Sequence, residues 1–166
     1  EFTPLEGEQR ERLEEAAARR DESPPHRHPA LYNAIWRGHD QQSTYANVKT
    51  TYFLGKKTLV HRDLLTVLAS VEAEIRRAAA DNPEVRQFID NLADVSGYYY
   101  RPIAATASLS FHAYGTAVDL IPASYNGDEY YWLYARRDHN EWYNIPYEDR
   151  YILPETVVRI FDRHGF

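Results

Sequence analysis

A histidine and a carboxylate lie close together in the stretch Ser110-Phe-His-Ala-Tyr-Gly-Thr-Ala-Val-Asp119. Asp119 falls in the run from Thr116 to Ile121, whose β-branched and apolar residues predict a strand, and Asp is depleted in strands. A carboxylate buried among such neighbours must become neutral, pair with a cation or bind a metal, because an unpaired buried charge is strongly unfavourable. His112 and Asp119 are therefore candidate metal ligands.

The apolar periodicity predicts the elements that position this pair. Helices are expected over 5–20, 30–36, 62–79, from Pro83 to 92, over 129–137 and from Pro154 through Arg163; strands are expected over 48–54, 98–103 and 116–121, and a loop over 41–47. Helices and strands segregate rather than alternate, which favours an α+β fold in which a small antiparallel sheet carries the metal site and several helices pack with it. Residues 1–25 are expected to form an N-terminal helix and linker, and residues 26–166 the main domain.

The composition argues against several classes of function. The chain has 19 basic and 25 acidic residues, and the basic ones are scattered or paired with acids, which argues against nucleic acid as a partner. It has no cysteine, so a metal would be bound through histidine and carboxylate. The longest apolar stretches are far below the ~20 residues that span a bilayer, so no transmembrane segment is predicted.

The motif has a specific resemblance. Arg101-Pro102-Ile103, followed by Ser110-x-His112-x-x-Gly115-x-Ala117-x-Asp119, resembles the zinc peptidases that cut peptidoglycan peptides. These include the VanY-type D-alanyl-D-alanine carboxypeptidases and the phage L-alanyl-D-glutamate endolysins. The similarity is clearest from Tyr99 to Pro122 and extends more weakly over residues 50–166.

The resemblance implies roles for individual residues. His112 and Asp119 would be zinc ligands in an open site that keeps a position for water. Arg101 would stabilise the oxyanion, and Ser110 would line the substrate cleft. The implied partner is a peptidoglycan stem peptide, and the implied location is secreted, periplasmic or in the cell envelope, with a leader already removed.

The family also has a third ligand and a general base. The third ligand is a histidine on a strand just after the helix that corresponds to 154–163, and an acidic base shortly precedes it. This sequence ends at Phe166, so we expect both groups to follow in a longer enzyme and this chain to be inactive by itself.

Structural interpretations of the same residues remain open. His112 and Asp119 would then form a buried ion pair that orders a turn, Arg101 would be a surface residue of an edge strand, and Ser110 would cap the turn. For His164, a third-ligand role competes with a cap at a helix C-terminus. The tyrosines and tryptophans of residues 130–143 would either pack in a core or rim a groove for a glycan or stem peptide.

Three hypotheses of function follow. The first is a zinc peptidase of peptidoglycan stem peptides. The second is a module of the same fold that binds cell-wall peptide without cutting it, and the third is an interaction domain whose His112–Asp119 pair is only an ion pair.

Overall fold

A computed structural model of the chain describes residues 3–22, 28–103, 108–128 and 130–166. Within these ranges the chain forms helices and two small antiparallel sheets, which confirms the α+β prediction. Residues 104–107, expected to connect a strand to the motif, and Glu129, expected to begin a helix, lie outside the described residues.

The elements follow one another in chain order, with short 3₁₀ turns between some of them. They are α1 (Gly7–Glu22), α2 (Pro29–Trp36), α3 (Gln41–Ala46), β1 (Val48–Phe53), β2 (Lys56–His61), α4 (Leu65–Asp81), α5 (Pro83–Asn91), β3 (Leu92–Ser96), β4 (Asp119–Pro122), α6 (Trp132–Asp138) and α7 (Glu155–Arg163). The 3₁₀ turns are Arg62–Leu64, Phe111–Tyr114, Trp142–Asn144 and Tyr147–Asp149. None of the described helices is long and apolar enough to cross a membrane.

The chain divides into two compact units. The first comprises Glu1–Pro25 and Ser124–Ile152, and the second comprises His26–Ala123 and Leu153–Phe166. The four residues of the predicted site lie in the second unit: Arg101, Ser110, His112 and Asp119.

The core of the second unit forms where α4, α5 and α7 pack with the strands. Its buried side chains include Phe53, Val60, Leu68, Val71, Ile75, Val85, Phe88, Val95, Val157 and Ile160. The helical spacing of Leu68, Val71 and Ile75 predicted this burial correctly, and each such side chain contributes about 1.5–3 kcal/mol relative to an exposed one. Val158 is 47% exposed, because it lies on the outer face of α7 beside the buried Val157.

The predicted start of α5 is confirmed by its cap. The Asn82 side-chain oxygen accepts hydrogen bonds from the Glu84 and Val85 N–H groups at 3.0 and 3.3 Å, and Pro83 occupies the first helical position. These bonds satisfy donors that the first helical turn leaves free.

The expectation of a loop over 41–47 is wrong, because α3 occupies 41–46. A capping box starts this helix: Asp40 accepts a bond from the Ser43 N–H at 2.7 Å, and the Ser43 hydroxyl accepts one from the Asp40 N–H at 3.1 Å. The apolar periodicity of this short polar segment was too weak to indicate a helix.

Two antiparallel pairs form the sheets. β1 pairs with β2 along its whole length, and the turn between them places Leu54 and Gly55 at φ +50° and +83°, the backbone signs of a tight hairpin turn. β3 pairs with β4, with Ser96 opposite Asp119. The strand at 48–54 was predicted, whereas β2 and β3 were not, since neither shows a clear period-two alternation.

The strand expected over 98–103 is also wrong. The described residues of this segment make only an isolated bridge between Pro102 and Leu109. The Tyr98 N–H donates to the Leu59 carbonyl oxygen at 2.7 Å, and the Tyr99 N–H donates to the His112 carbonyl oxygen at 3.0 Å. These donors therefore bond to a hairpin edge and a turn, and Pro102 has no N–H to give to a ladder.

His61, at the end of β2, is a fully buried titratable side chain. Its Nδ1 accepts a hydrogen bond from the Asp63 N–H at 3.2 Å, and its Nε2 lies 3.3 Å from the Trp36 carbonyl oxygen. The neutral ring with its hydrogen on Nε2 satisfies both contacts. Burial lowers the pKa of His61, against the opposing effect of Asp63.

We expect His61 to make the protein less stable in acid. Because its pKa is lowered on folding from 6.5, the unfolded chain takes up the proton first, so the His61 contribution is full above about pH 6.5 and is lost as the pH falls through the folded pKa. Urea unfolding at pH 7.5 and 5.5 should show a smaller acid loss for His61→Gln than for the wild type. His39→Gln, at a 75% exposed side chain, is the matched control, and an equal acid loss in wild type and His61→Gln would contradict the prediction.

Candidate metal centre

The turn that carries His112 is defined at both ends by local chemistry. Ser110 begins it, and its hydroxyl oxygen accepts the His112 N–H at 3.3 Å. Gly115 ends it at φ +72°, a conformation that favours glycine. Ser110 is therefore a cap, as one of its two interpretations predicted, and its predicted contact with substrate stays a prediction.

Gly115 also fixes the turn against the hairpin. Its carbonyl oxygen accepts the His61 N–H at 2.7 Å, and a Cβ at this position would lie 2.8 Å from the His61 nitrogen. Tyr114 is buried, and its hydroxyl lies 2.7 Å from the side-chain amide of Asn33 in α2. The turn is thus held by contacts on two sides.

The His112 ring is oriented by a main-chain carbonyl. Its Nδ1 lies 2.6 Å from the Gly97 oxygen, and since a carbonyl can only accept, Nδ1 carries the hydrogen. Nε2 then faces Asp119, whose Oδ2 lies 3.3 Å away. His112 is 8% exposed, so this orientation is set inside the protein. Sequence patterns do not indicate Gly97 in this role, because every residue type carries a main-chain carbonyl oxygen.

Asp119 is exposed to solvent, whereas the sequence predicted that it would be buried. It was expected among buried apolar neighbours, but its side chain is 60% exposed at the first position of β4. Val118 and Leu120 pack against the core, and successive side chains of an extended chain point to opposite faces, so Asp119 points outward. Solvent therefore contributes to keeping this carboxylate ionised.

The electrostatics of the pair favour opposite charges. The hydrogen bond to Asp119 raises the pKa of His112, against the effect of burial, and the hydrogen bond to His112 lowers the pKa of Asp119. Arg101 is half-buried, and its positive charge also lowers the pKa of both groups. The structure therefore brings the charge of Arg101 to bear on the two predicted ligands.

The donor pair fits half of a zinc site. Two ligands bound tetrahedrally to zinc at about 2.0–2.1 Å lie roughly 3.3 Å apart, which matches the Nε2–Oδ2 separation. The bond from Nδ1 to Gly97 also leaves Nε2 as the ligand atom, the usual arrangement for a zinc-bound histidine. The same separation suits a direct ion pair, so geometry alone permits both interpretations.

The described residues provide no third metal ligand near His112 and Asp119. In 3–22, 28–103, 108–128 and 130–166, no group of three or more His, Cys, Asp or Glu side chains is placed to hold a metal ion. His164 is the residue that follows α7, and its Nε2 lies 2.9 Å from Oε2 of Glu74 in α4. The partner of His164 is therefore the carboxylate of Glu74 in α4, and this contact joins the end of α7 to α4.

Comparison with known proteins supports the resemblance of the motif. Residues 104–166 match the model of a peptidase family described as D-alanyl-D-alanine carboxypeptidase. Ser110, His112 and Asp119 lie inside the matched region, and Arg101 lies just before it. None of the curated proteins and none of the solved structures matches the chain. The match confirms the predicted family resemblance and does not favour the non-catalytic alternative.

If His112 is a zinc ligand, Gly97→Ala should weaken zinc binding. A Cβ at Gly97 would lie 2.1 Å from the Leu59 carbonyl oxygen, so the main chain must shift and move the acceptor of Nδ1. We expect a loss of about 1–3 kcal/mol in unfolding free energy and about 10–100-fold weaker zinc binding by isothermal titration.

Gly38→Ala is the matched control for this effect. Its Cβ would lie 2.6 Å from a Thr44 methyl group, so it overpacks a site that has no hydrogen bond to His112. It should also lower stability but leave zinc affinity unchanged. Equal zinc affinities in the two variants would show that Gly97 does not orient His112 for zinc binding.

Proposed function

We propose that the protein is a zinc-dependent peptidase that acts on the stem peptides of peptidoglycan, with His112 and Asp119 as zinc ligands. The observation that supports this most is the Nε2–Oδ2 pair at 3.3 Å, oriented by Gly97, inside a region that matches a D-alanyl-D-alanine carboxypeptidase family. The proposal covers both carboxypeptidase and endopeptidase activity, because the carboxypeptidases and endopeptidases of the resemblance share the motif.

His112 and Asp119 have different tasks in this proposal. The buried His112 offers a neutral nitrogen whose direction is fixed by the bond from Nδ1 to the Gly97 oxygen. The exposed Asp119 offers an ionised oxygen that reduces the net charge of the centre and leaves it open to solvent. A zinc ion held there supplies Lewis acidity toward a peptide carbonyl and activates water for attack.

Arg101 and Ser110 complete the proposed site. Arg101 would donate to the carbonyl oxygen of the substrate as negative charge develops on it, and its effect on the pKa of both ligands supports a position near them. Ser110 would line the cleft beside the turn that it caps, with its hydroxyl oxygen already accepting the His112 N–H. We expect a protein that acts on such a substrate to work outside the cell or in its envelope.

Metal retention tests the ligand assignment. His112→Ala and Asp119→Ala should each weaken zinc binding by more than the ~10–100-fold typical of residues that only orient ligands. Arg101→Ala should retain zinc, and His39→Ala, at an exposed side chain, should also retain it. Elemental analysis after dialysis measures zinc retention, and isothermal titration measures zinc affinity. Zinc retained by the His112→Ala protein would refute the assignment.

Hydrolysis of a stem peptide that ends in D-alanyl-D-alanine tests the role of Arg101. Where the wild type cleaves it, Arg101→Ala should lower kcat by roughly 10²–10³, as expected when an oxyanion donor is lost, and leave zinc affinity unchanged. Arg101→Lys should restore part of the rate, since it keeps the charge but loses the planar donor group. A kcat for Arg101→Ala equal to that of the wild type would contradict the oxyanion role.

A further inference from the structure

The first unit presents an ordered set of exposed aromatic rings. Tyr130, Tyr131, Tyr134 and Tyr147 are 48%, 41%, 41% and 57% exposed, and we call them the tyrosine surface. Tyr134 packs edge-on against Tyr130 and Tyr131, with ring centroids 5.7 and 5.2 Å apart. Tyr130 also stacks on Tyr125 at 3.8 Å. These contacts hold the rings of Tyr130, Tyr131 and Tyr134 together, and the guanidinium of Arg150 lies over the Tyr147 ring. Exposed aromatic patches commonly mark binding sites.

A cavity of about 820 Å³ lies in the same unit, within the size range of ligand pockets. Its lining is rich in amide and carboxylate side chains, namely Asn126, Asp128, Asp138, Asn140, Glu141, Asn144 and Asp149. In the described part of the chain, no Lys or Arg contributes to this lining.

The tyrosine surface and the cavity are connected through shared segments. Tyr134 and Asp138 are four residues apart on α6, so they lie on the same side of the helix. Tyr147 stands between two lining residues, Pro146 and Asp149. Two of the tyrosines therefore belong to the same short segments as residues that line the cavity.

The charged side chains around the cavity and the rings indicate which class of ligand this unit would bind. The carboxylates of the lining oppose an anionic ligand such as a nucleic acid or phosphate. Two guanidinium groups oppose a cationic ligand at the rings, because Arg137 lies 5.2 Å from the Tyr134 centroid and Arg150 lies 5.3 Å from that of Tyr147. Arg137 also pairs with the Asp138 carboxylate of the lining at 2.6 Å, which offsets part of the negative charge there. Amides and carboxylates hydrogen-bond hydroxyl and acetamido groups, and aromatic faces pack on C–H surfaces. A neutral sugar chain meets all of these conditions.

We propose that the first unit binds a neutral glycan of N-acetylated hexosamines, with the tyrosine surface as the stacking platform and the cavity as the polar pocket. The choice of a cell-wall glycan rests on the proposed function, since stem peptides are attached to such a strand. The site itself uses none of the residues of the metal centre.

Isothermal titration with a linear hexamer of N-acetylglucosamine tests this proposal. The wild type should bind it, and Tyr134→Ala and Tyr147→Ala should each weaken binding about ten-fold through loss of a stacking ring. Tyr134→Phe and Tyr147→Phe should keep most of the affinity. Tyr52→Ala, at a 65% exposed ring in β1 of the other unit, is the matched control and should bind as the wild type does.

Three results would overturn the proposal. They are a wild type that does not bind the hexamer, alanine variants that bind it as the wild type does, and phenylalanine variants that lose as much affinity as the alanine variants. Thermal melting identifies any variant that is unfolded. If a tyrosine variant is unfolded, Asn140→Ala, at an exposed residue of the cavity lining, replaces it in the test and should also weaken binding of the hexamer. Zinc titration of the same proteins should be unchanged, so failure of the glycan site and failure of the metal centre are distinguishable.

Discussion

The main chain at Gly97 lies so close to β2 that a Cβ there would meet the Leu59 carbonyl oxygen at 2.1 Å. The next residue donates its N–H to that same oxygen at 2.7 Å, which holds the segment against the hairpin. The Gly97 carbonyl oxygen then accepts the His112 Nδ1 hydrogen. The direction of the His112 ring thus depends on a contact between two backbones, and the residue type at position 97 matters because only glycine leaves enough space.

This arrangement gives the two candidate ligands unequal surroundings. His112 is enclosed and has a fixed tautomer, whereas Asp119 is largely in water and stays ionised. The raised pKa of His112 means that a proton on Nε2 is favoured beside the carboxylate, and a metal ion bound through Nε2 would have to displace that proton. The ion pair and the proposed metal site would therefore share one geometry, and they would differ only in what lies between Nε2 and Oδ2.

Local chemistry accounts for the elements that the sequence predicted well. The buried stripe of α4 and the Asn82-Pro83 start of α5 depend on residues three or four apart, so a single segment contains the whole signal. β2, β3 and the segment 98–103 depend instead on partners far along the chain. The Tyr98 and Tyr99 N–H groups donate to the carbonyl oxygens of Leu59 and His112, and no residue within 98–103 indicates those acceptors.

The sequence by itself determined the α+β class, the principal core helices and the identities of the candidate ligands, because periodicity, caps and a short motif are properties of neighbouring residues. Only the tertiary structure decided that Asp119 faces solvent, that Ser110 caps the turn, and that Gly97 orients His112. It also revealed the cavity of the first unit, with its amide and carboxylate lining. These features arise from the packing of segments that are distant in the chain, and their acceptors are often backbone atoms that every residue type carries.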